Sequence, residues 1–210
     1  MIPQDDRSPY RQQRWVPFYN DSGEDVPAYG VMRIDGATLR DEGSISDESL
    51  NHQAIFTIVK PDTTFCSLYL VNGPIIAKAD SYGEGTLLLD GGTVLLSTGT
   101  PAYGIEYGPT DDDWGLVQYR PGFLIQGQLT DSPNLAYAVQ KEVISLLGKT
   151  DASIAKGSSG TVSIYCGQAG SETDTTWNVD AYNRFSTVSS DKWVGVTRVH
   201  GNWYLTAKEC

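Results

Sequence analysis

Acyl transfer through a serine requires a histidine base, and this 210-residue chain offers only His52 and His200. No Gly-x-Ser-x-Gly occurs, and His200 stands in a short His-Gly-Asn turn, so both histidines read as surface residues. Cys66, Cys166 and Cys210 are odd in number and lack Cys-x-x-Cys spacing, which encodes neither a disulfide framework nor a zinc knuckle. Leu-Leu-Gly-Lys-Thr at 146–150 resembles the end of a phosphate-binding loop, but Val143 stands where that loop needs its first glycine. Asp111, Asp112 and Asp113 precede Gly115 in the manner of a calcium loop, yet Leu116 and Gly122 occupy the places of its required Gly and Glu. A solvated acidic loop is the expectation. Asp80 with Glu84, or Glu172 with Asp174, are nominal glycosidase pairs, and among 26 acids some pair meets the roughly 5–9.5 Å requirement by chance. The expectation is a non-enzymatic chain with no cofactor and no metal.

Aromatic residues crowd one region: Tyr69, Tyr82, Tyr103, Tyr107, Trp114, Tyr119 and Phe123. Such rings fill a β-core, anchor a subunit interface, or stack sugars. Tyr103, Tyr107, Trp114, Tyr119 and Phe123 are therefore the interface or ligand candidates, a host surface glycan being the small-molecule alternative.

The net charge of −11 is spread along the chain, and such a surface repels phosphate backbones and anionic membrane faces, so neither nucleic acid nor membrane is expected as a partner. No run approaches the roughly 20 apolar residues that span a bilayer, and the N-terminus has no apolar signal region. Synthesis in a cytoplasm, without export by a secretory signal, is the expectation.

The elements that must position these residues read as all-β. Runs such as RWVPFY, YGVMRI, AIFTIV, SLYLV and TVLLS alternate with turn chemistry in NDSGED, KPD, NGP and DGG, the pattern of short strands at roughly ten-residue spacing. Two small β-sandwich or barrel-like lobes, 15–127 and 128–210, are expected, preceded by an extended arm at 1–14. That arm holds three Arg, two Asp and two Pro; with Arg7 and Arg11 it is either a solvated tail or a tether to a neighbouring subunit. The Gly- and Pro-rich stretch 100–127 excludes a helix and leaves two short strands near 115–119 and 122–127. Asn134–Gly148 fits a helix by its apolar stripe and two strands by its β-branched content, and its β neighbours favour strands. WVGVTRV and WYLTA, joined at His200-Gly201-Asn202, form the clearest hairpin.

Two segments echo each other. WVPFYNDSGEDVPAYGVMRIDG (15–36) and VDAYNRFSTVSSDKWVGVTRVHG (179–201) share Val, then Tyr-Asn three residues later, then Val-x-Arg-(Ile/Val)-x-Gly at 31–36 and 196–201. Either this is chance in a β-rich chain or it marks related β-units near each end. WVPFYNDSGEDVPAYGVMRI, LVNGPI with YGEGT, TPAYGIEYGP through RPGF, and KWVGVTRVHGNWYLTAKEC resemble motifs of tailed-bacteriophage and prophage-type proteins over roughly 15–127 and 160–210. The resemblance implies a β-rich, homo-oligomeric virion component of the tail, baseplate and fibre group or among the capsid cement proteins. Its partners would be other virion proteins and its location the virion. It implies no site residues.

Overall fold

The computed structural model describes residues 15–39, 54–62, 68–97, 101–111 and 113–208. The arm 1–14 with Arg7 and Arg11 lies outside the described residues, as do His52, Cys66, Asp112 and Cys210. Fifteen strands and no helix occur among the described residues, as the all-β pattern requires.

Strands β1 (Trp15–Asn20), β2 (Val31–Leu39), β3 (Ala54–Val59), β4 (Tyr69–Asn72) and β5 (Tyr82–Thr86) form a closed ring in the order β1-β3-β2-β4-β5. Its β1–β3 contact is parallel and every other contact is antiparallel. Next come β6 (Gly92–Leu95), β7 (Glu106–Pro109), β8 (Leu116–Gln118), β9 (Phe123–Gln128) and β10 (Leu135–Gln140), in the order β6-β10-β9-β7-β8. A parallel bridge from Leu96, at the end of β6, to Leu116 of β8 joins the two edges of this sheet. The third unit, β11 (Ser145–Thr150), β12 (Ser159–Cys166), β13 (Thr173–Tyr182), β14 (Trp193–Val199) and β15 (Asn202–Lys208), closes as β11-β12-β13-β15-β14. Two lobes were expected and three five-stranded units are found; residues 127 and 128 both lie in β9, inside the middle one.

All three units share one connectivity. In the middle unit β6, β8, β7, β9 and β10 repeat the neighbour relations of β1, β3, β2, β4 and β5, the parallel contact included. In the third unit β13, β15, β14, β11 and β12 repeat them, with β13 and β15 parallel. The third unit is thus a circular permutation that begins at the equivalent of β4. The register agrees residue by residue: Phe18–Gly83, Val94–Ala136 and Ala181–Gly160 are equivalent pairs, as are Ile34–Ile58, Pro109–Leu116 and Val196–Leu205.

Packing explains the small residues at these places. A Cβ on Gly83 would lie 2.5 Å from the Phe18 ring, and one on Gly160 would lie 2.7 Å from Ile154. Each ring therefore pairs a filling side chain with a glycine or alanine opposite it. Gly148, which suggested a phosphate loop, is a strand residue whose Cβ would meet the Ser163 carbonyl at 2.5 Å.

The sequence echo is half in register. Tyr19 pairs with Tyr82 and Tyr182 with Ser159, each the first residue of its strand, so Tyr19-Asn20 and Tyr182-Asn183 are true equivalents. Ile34 and Val196 pair with the equivalent Ile58 and Leu205, so Val196 matches Ile34 rather than Val31, and the Val-x-Arg likeness is out of register. The shared asparagines are buried and hold their loops. Asn20 Nδ2 donates to the Glu24 carbonyl (2.7 Å) and the Lys78 carbonyl (2.9 Å), while its Oδ1 accepts from the Ser22 N–H (3.1 Å). Asn183 Nδ2 donates to Ile154 (2.9 Å) and Ser186 (3.2 Å), and its Oδ1 accepts from the Phe185 N–H (2.9 Å).

The first two units share a core, in which Val31, Tyr69 and Val71 pack with Val94, Leu96, Tyr107 and Phe123. Gln140, with its amide turned to donate to the Tyr69 carbonyl (2.9 Å) and accept from its N–H (2.7 Å), fastens β10 to β4. The third unit has its own core around Trp177, Ile164, Val162 and Leu205. It meets the middle unit where the Arg120 guanidinium lies 5.3 Å from the Trp177 ring centre and Thr176 Oγ1 donates to Asp111 (2.6 Å).

Asn20→Ala and Asn183→Ala each strip a buried loop of its hydrogen bonds and are expected to cost about 1–3 kcal/mol. Asn202→Ala, which removes one exposed bond to the His200 carbonyl, should stay within about 0.5 kcal/mol. Urea unfolding of the three variants checks this; an Asn202→Ala effect as large as the other two would refute the role of the buried bonds, and a clear difference between Asn20→Ala and Asn183→Ala would refute their equivalence.

Candidate interaction surface

The largest exposed apolar side chains of the first barrel converge on one groove of about 460 Å³, lined by Trp15, Pro74, Ile75, Ile76 and Tyr82 among others. Ile75 is 78% exposed, Ile76 53%, Tyr82 46% and Trp15 42%. Local chemistry builds it. The Asn72-Gly73-Pro74 turn ends β4, and Asn72 Nδ2 fixes the turn by donating to the carbonyls of Pro27 (2.9 Å) and Ile75 (2.9 Å). Gly73 admits the Trp15 ring, whose nearest atom would be 3.4 Å from a Cβ there, and its N–H donates to the Glu84 carbonyl at 3.0 Å. In β5 the glycines 83 and 85 face the packed interior while Tyr82 and Glu84 face out, which explains the Tyr-Gly-Glu-Gly-Thr sequence.

The third barrel supplies an internal comparison. The bonds joining Val26 with Ala77 recur between Val188 and Ile154, and those joining Asn20 with Asp80 and Ser81 recur between Asn183, Gly157 and Ser158. The loops 73–81 and 151–158 are therefore one structure built twice. Where the first carries Pro74, Ile75 and Ile76, the third carries exposed Ala152 and Ser153; where the first has Trp15 and Tyr82, the third has Asn178 and Ser159. The fold does not require apolar residues here, and an exposed apolar cluster present in one copy alone is a candidate interaction surface.

One acid, Glu84, is part of the groove lining. Beside the groove, Tyr82 makes an edge-to-face pair with Tyr19, whose hydroxyl is pushed above its ordinary value by partial burial and then by the Asp80 and Asp21 carboxylates. On the loop's far side Lys78 donates to Asp25 (2.6 Å), and this bond, with a second from the Ala79 N–H, holds the Asp25 carboxyl below the usual range.

The sequence candidates do not form one face. Tyr107 and Phe123 are core residues, the Tyr107 hydroxyl accepting from the Ala102 N–H at 2.8 Å. Trp114 is buried with Phe18, Met32 and Leu70, and Lys60 Nζ lies 5.7 Å from its ring centre. Tyr103 and Tyr119 alone of the five are exposed. Of the three roles open to the aromatics at 103–123, Tyr107, Trp114 and Phe123 take that of core. Ile75 and Ile76 were overlooked; two isoleucines directly after an Asn-Gly-Pro turn, where polar residues are usual, were the available signal.

The acidic candidates serve local structure. Asp113 accepts from the Gly115 N–H (3.1 Å) and Glu172 from the Gly170 N–H (3.0 Å), the latter lowering the Glu172 carboxyl. No cluster of three or more His, Cys, Asp or Glu that could hold a metal occurs among the described residues. A second cleft of about 340 Å³ lies between the middle and third units, lined by Tyr119, Arg120, Tyr165 and Cys166 among others. Burial pushes the Cys166 thiol up to about 11, against the opposing pull of Arg120. Comparison of the chain with known protein families, with curated proteins and with solved structures yields no match.

The raised Cys166 thiol gives about 100-fold less thiolate near neutral pH than a free thiol would. In a Cys66→Ser/Cys210→Ser background, alkylation of Cys166 by iodoacetamide at pH 8 should be slower than in urea-unfolded protein by about that factor. Comparable rates would contradict the burial.

Proposed function

We propose that this chain is a non-enzymatic structural component of a tailed-bacteriophage virion, in the tail, baseplate and fibre group or among the capsid cement proteins, and that it acts by protein–protein assembly. One observation carries the assembly part: the apolar groove of the first barrel, set against the polar loop at the equivalent place in the third. An exposed cluster of Trp, Tyr and two Ile has the composition of an interface centre, with Glu84 beside it. The motif likeness described above supplies the virion assignment, and an acidic chain that avoids phosphate backbones suits a component that touches other proteins rather than packaged DNA.

Three small rings of one design also suit a part whose product is shape. Each ring spends few residues on its core and presents loops at both ends. Copy number separates the two locations: hundreds of copies per particle indicate cement, a few to some dozens a tail or connector part.

Ile75→Asp/Ile76→Asp should leave the folded protein intact, because both side chains are exposed, and should lower its amount in purified particles at least about tenfold. Quantitative mass spectrometry of virions against the soluble pool reads this. Absence of the wild-type chain from particles overturns the virion assignment, and undiminished incorporation of the variant overturns the role of the groove.

A further inference from the structure

The groove runs alongside β1: Trp15 lines it at the strand's first residue, and Tyr82, paired with Tyr19, lines it further along. Residues 1–14 join the barrel at Trp15. From the geometry we infer that the groove receives residues 1–14 of a neighbouring copy, an inference that rests on the assembly reading and names its partner.

Two features identify this occupant. The first is chemistry. The segment combines the apolar Met1-Ile2-Pro3, Pro9 and Tyr10 with Arg7, Arg11 and Arg14, which outnumber its Asp5 and Asp6, and so complements a groove lined by Trp15, Ile75, Ile76 and Tyr82 together with the Glu84 carboxylate. The remainder of this acidic chain is poor in such a combination, and two grooves placed face to face would set like charges together.

The second is reach. Fourteen extended residues span about 46–50 Å at roughly 3.3–3.6 Å each, well beyond the radius of gyration of about 17 Å for a globule of this size. A closed ring offers no edge for backbone pairing, so the two prolines, which lack an N–H, cost nothing in a side-chain-mediated contact. Such an arm-to-groove contact joins different surfaces of identical subunits, and repetition generates a ring or a filament.

Complementation tests this on the full chain. Ile75→Ala/Ile76→Ser gives the groove loop the small and polar character of its third-barrel equivalent and leaves the arm; deletion of residues 2–14 removes the arm and leaves the groove. By light scattering after gel filtration, wild-type protein should self-associate, and each variant alone should do so at least about tenfold more weakly. The two variants mixed should form a one-to-one heterodimer, since one arm then finds one groove. A wild type that stays monomeric, variants that associate as wild type does, or a mixture that fails to pair each overturn the inference. A synthetic 1–14 peptide that binds the deletion variant while the wild type is monomeric assigns the arm to its own groove and also overturns it. None of these outcomes bears on whether the chain is found in virions, which the particle measurement decides separately.

Discussion

Everything in this molecule depends on the parallel contact that closes each five-stranded ring. β1 with β3, β13 with β15, and the single bridge from Leu96 to Leu116 perform the same closure. An open five-stranded sheet presents two rows of unpaired backbone groups, and closure removes them. The first and third rings, being closed, offer no free edge to which a neighbour could add a strand. The proposed association would then use side chains on loops, such as those of the groove beside Trp15 and Ile75.

Closure also dictates the cores. Strands brought round a small ring leave little interior, so a large side chain on one strand needs a glycine or alanine on the facing one. Phe18 over Gly83, Val94 beside Ala136, and Ile154 against Gly160, which itself pairs with Ala181, are three solutions of that one constraint. The permutation in the third unit leaves it intact, since closure depends on which strands touch and not on where the chain is cut. Comparison of the units separates what is shared from what is not: the buried Asn20 and Asn183 recur in the two closed barrels while Leu96 takes their place in the middle unit, and the exposed Ile75 and Ile76 give way to Ala152 and Ser153.

The strands themselves were legible in the sequence wherever short-range chemistry sets them. AIFTIV is β3, the stretch 134–148 divides into β10 and β11, and His200 and Gly201 take positive φ (50° and 84°) in the two-residue turn between β14 and β15. The number of units was not legible. Closure joins residues such as Phe18 and Phe56, or Ala181 and Trp203, and no local pattern reports such a pairing. The echo between the chain's ends signalled the repeat through Tyr-Asn, because a buried asparagine holds that corner in both the first and the third unit. Its second half matched on β-type residues that many strands share and landed out of register. The site was less legible still, since aromatics without periodicity cannot be assigned to a face: Tyr107, Trp114 and Phe123 proved to be core.

The central claim is that the first barrel's apolar loop exists for association and its third-barrel equivalent does not. Hydrogen exchange on the protein in its assembled and its dilute, dissociated forms tests this most directly. Residues 73–84 should gain protection on assembly while 151–161 remain unchanged. Equal gains in both loops, or none at 73–84, would contradict it.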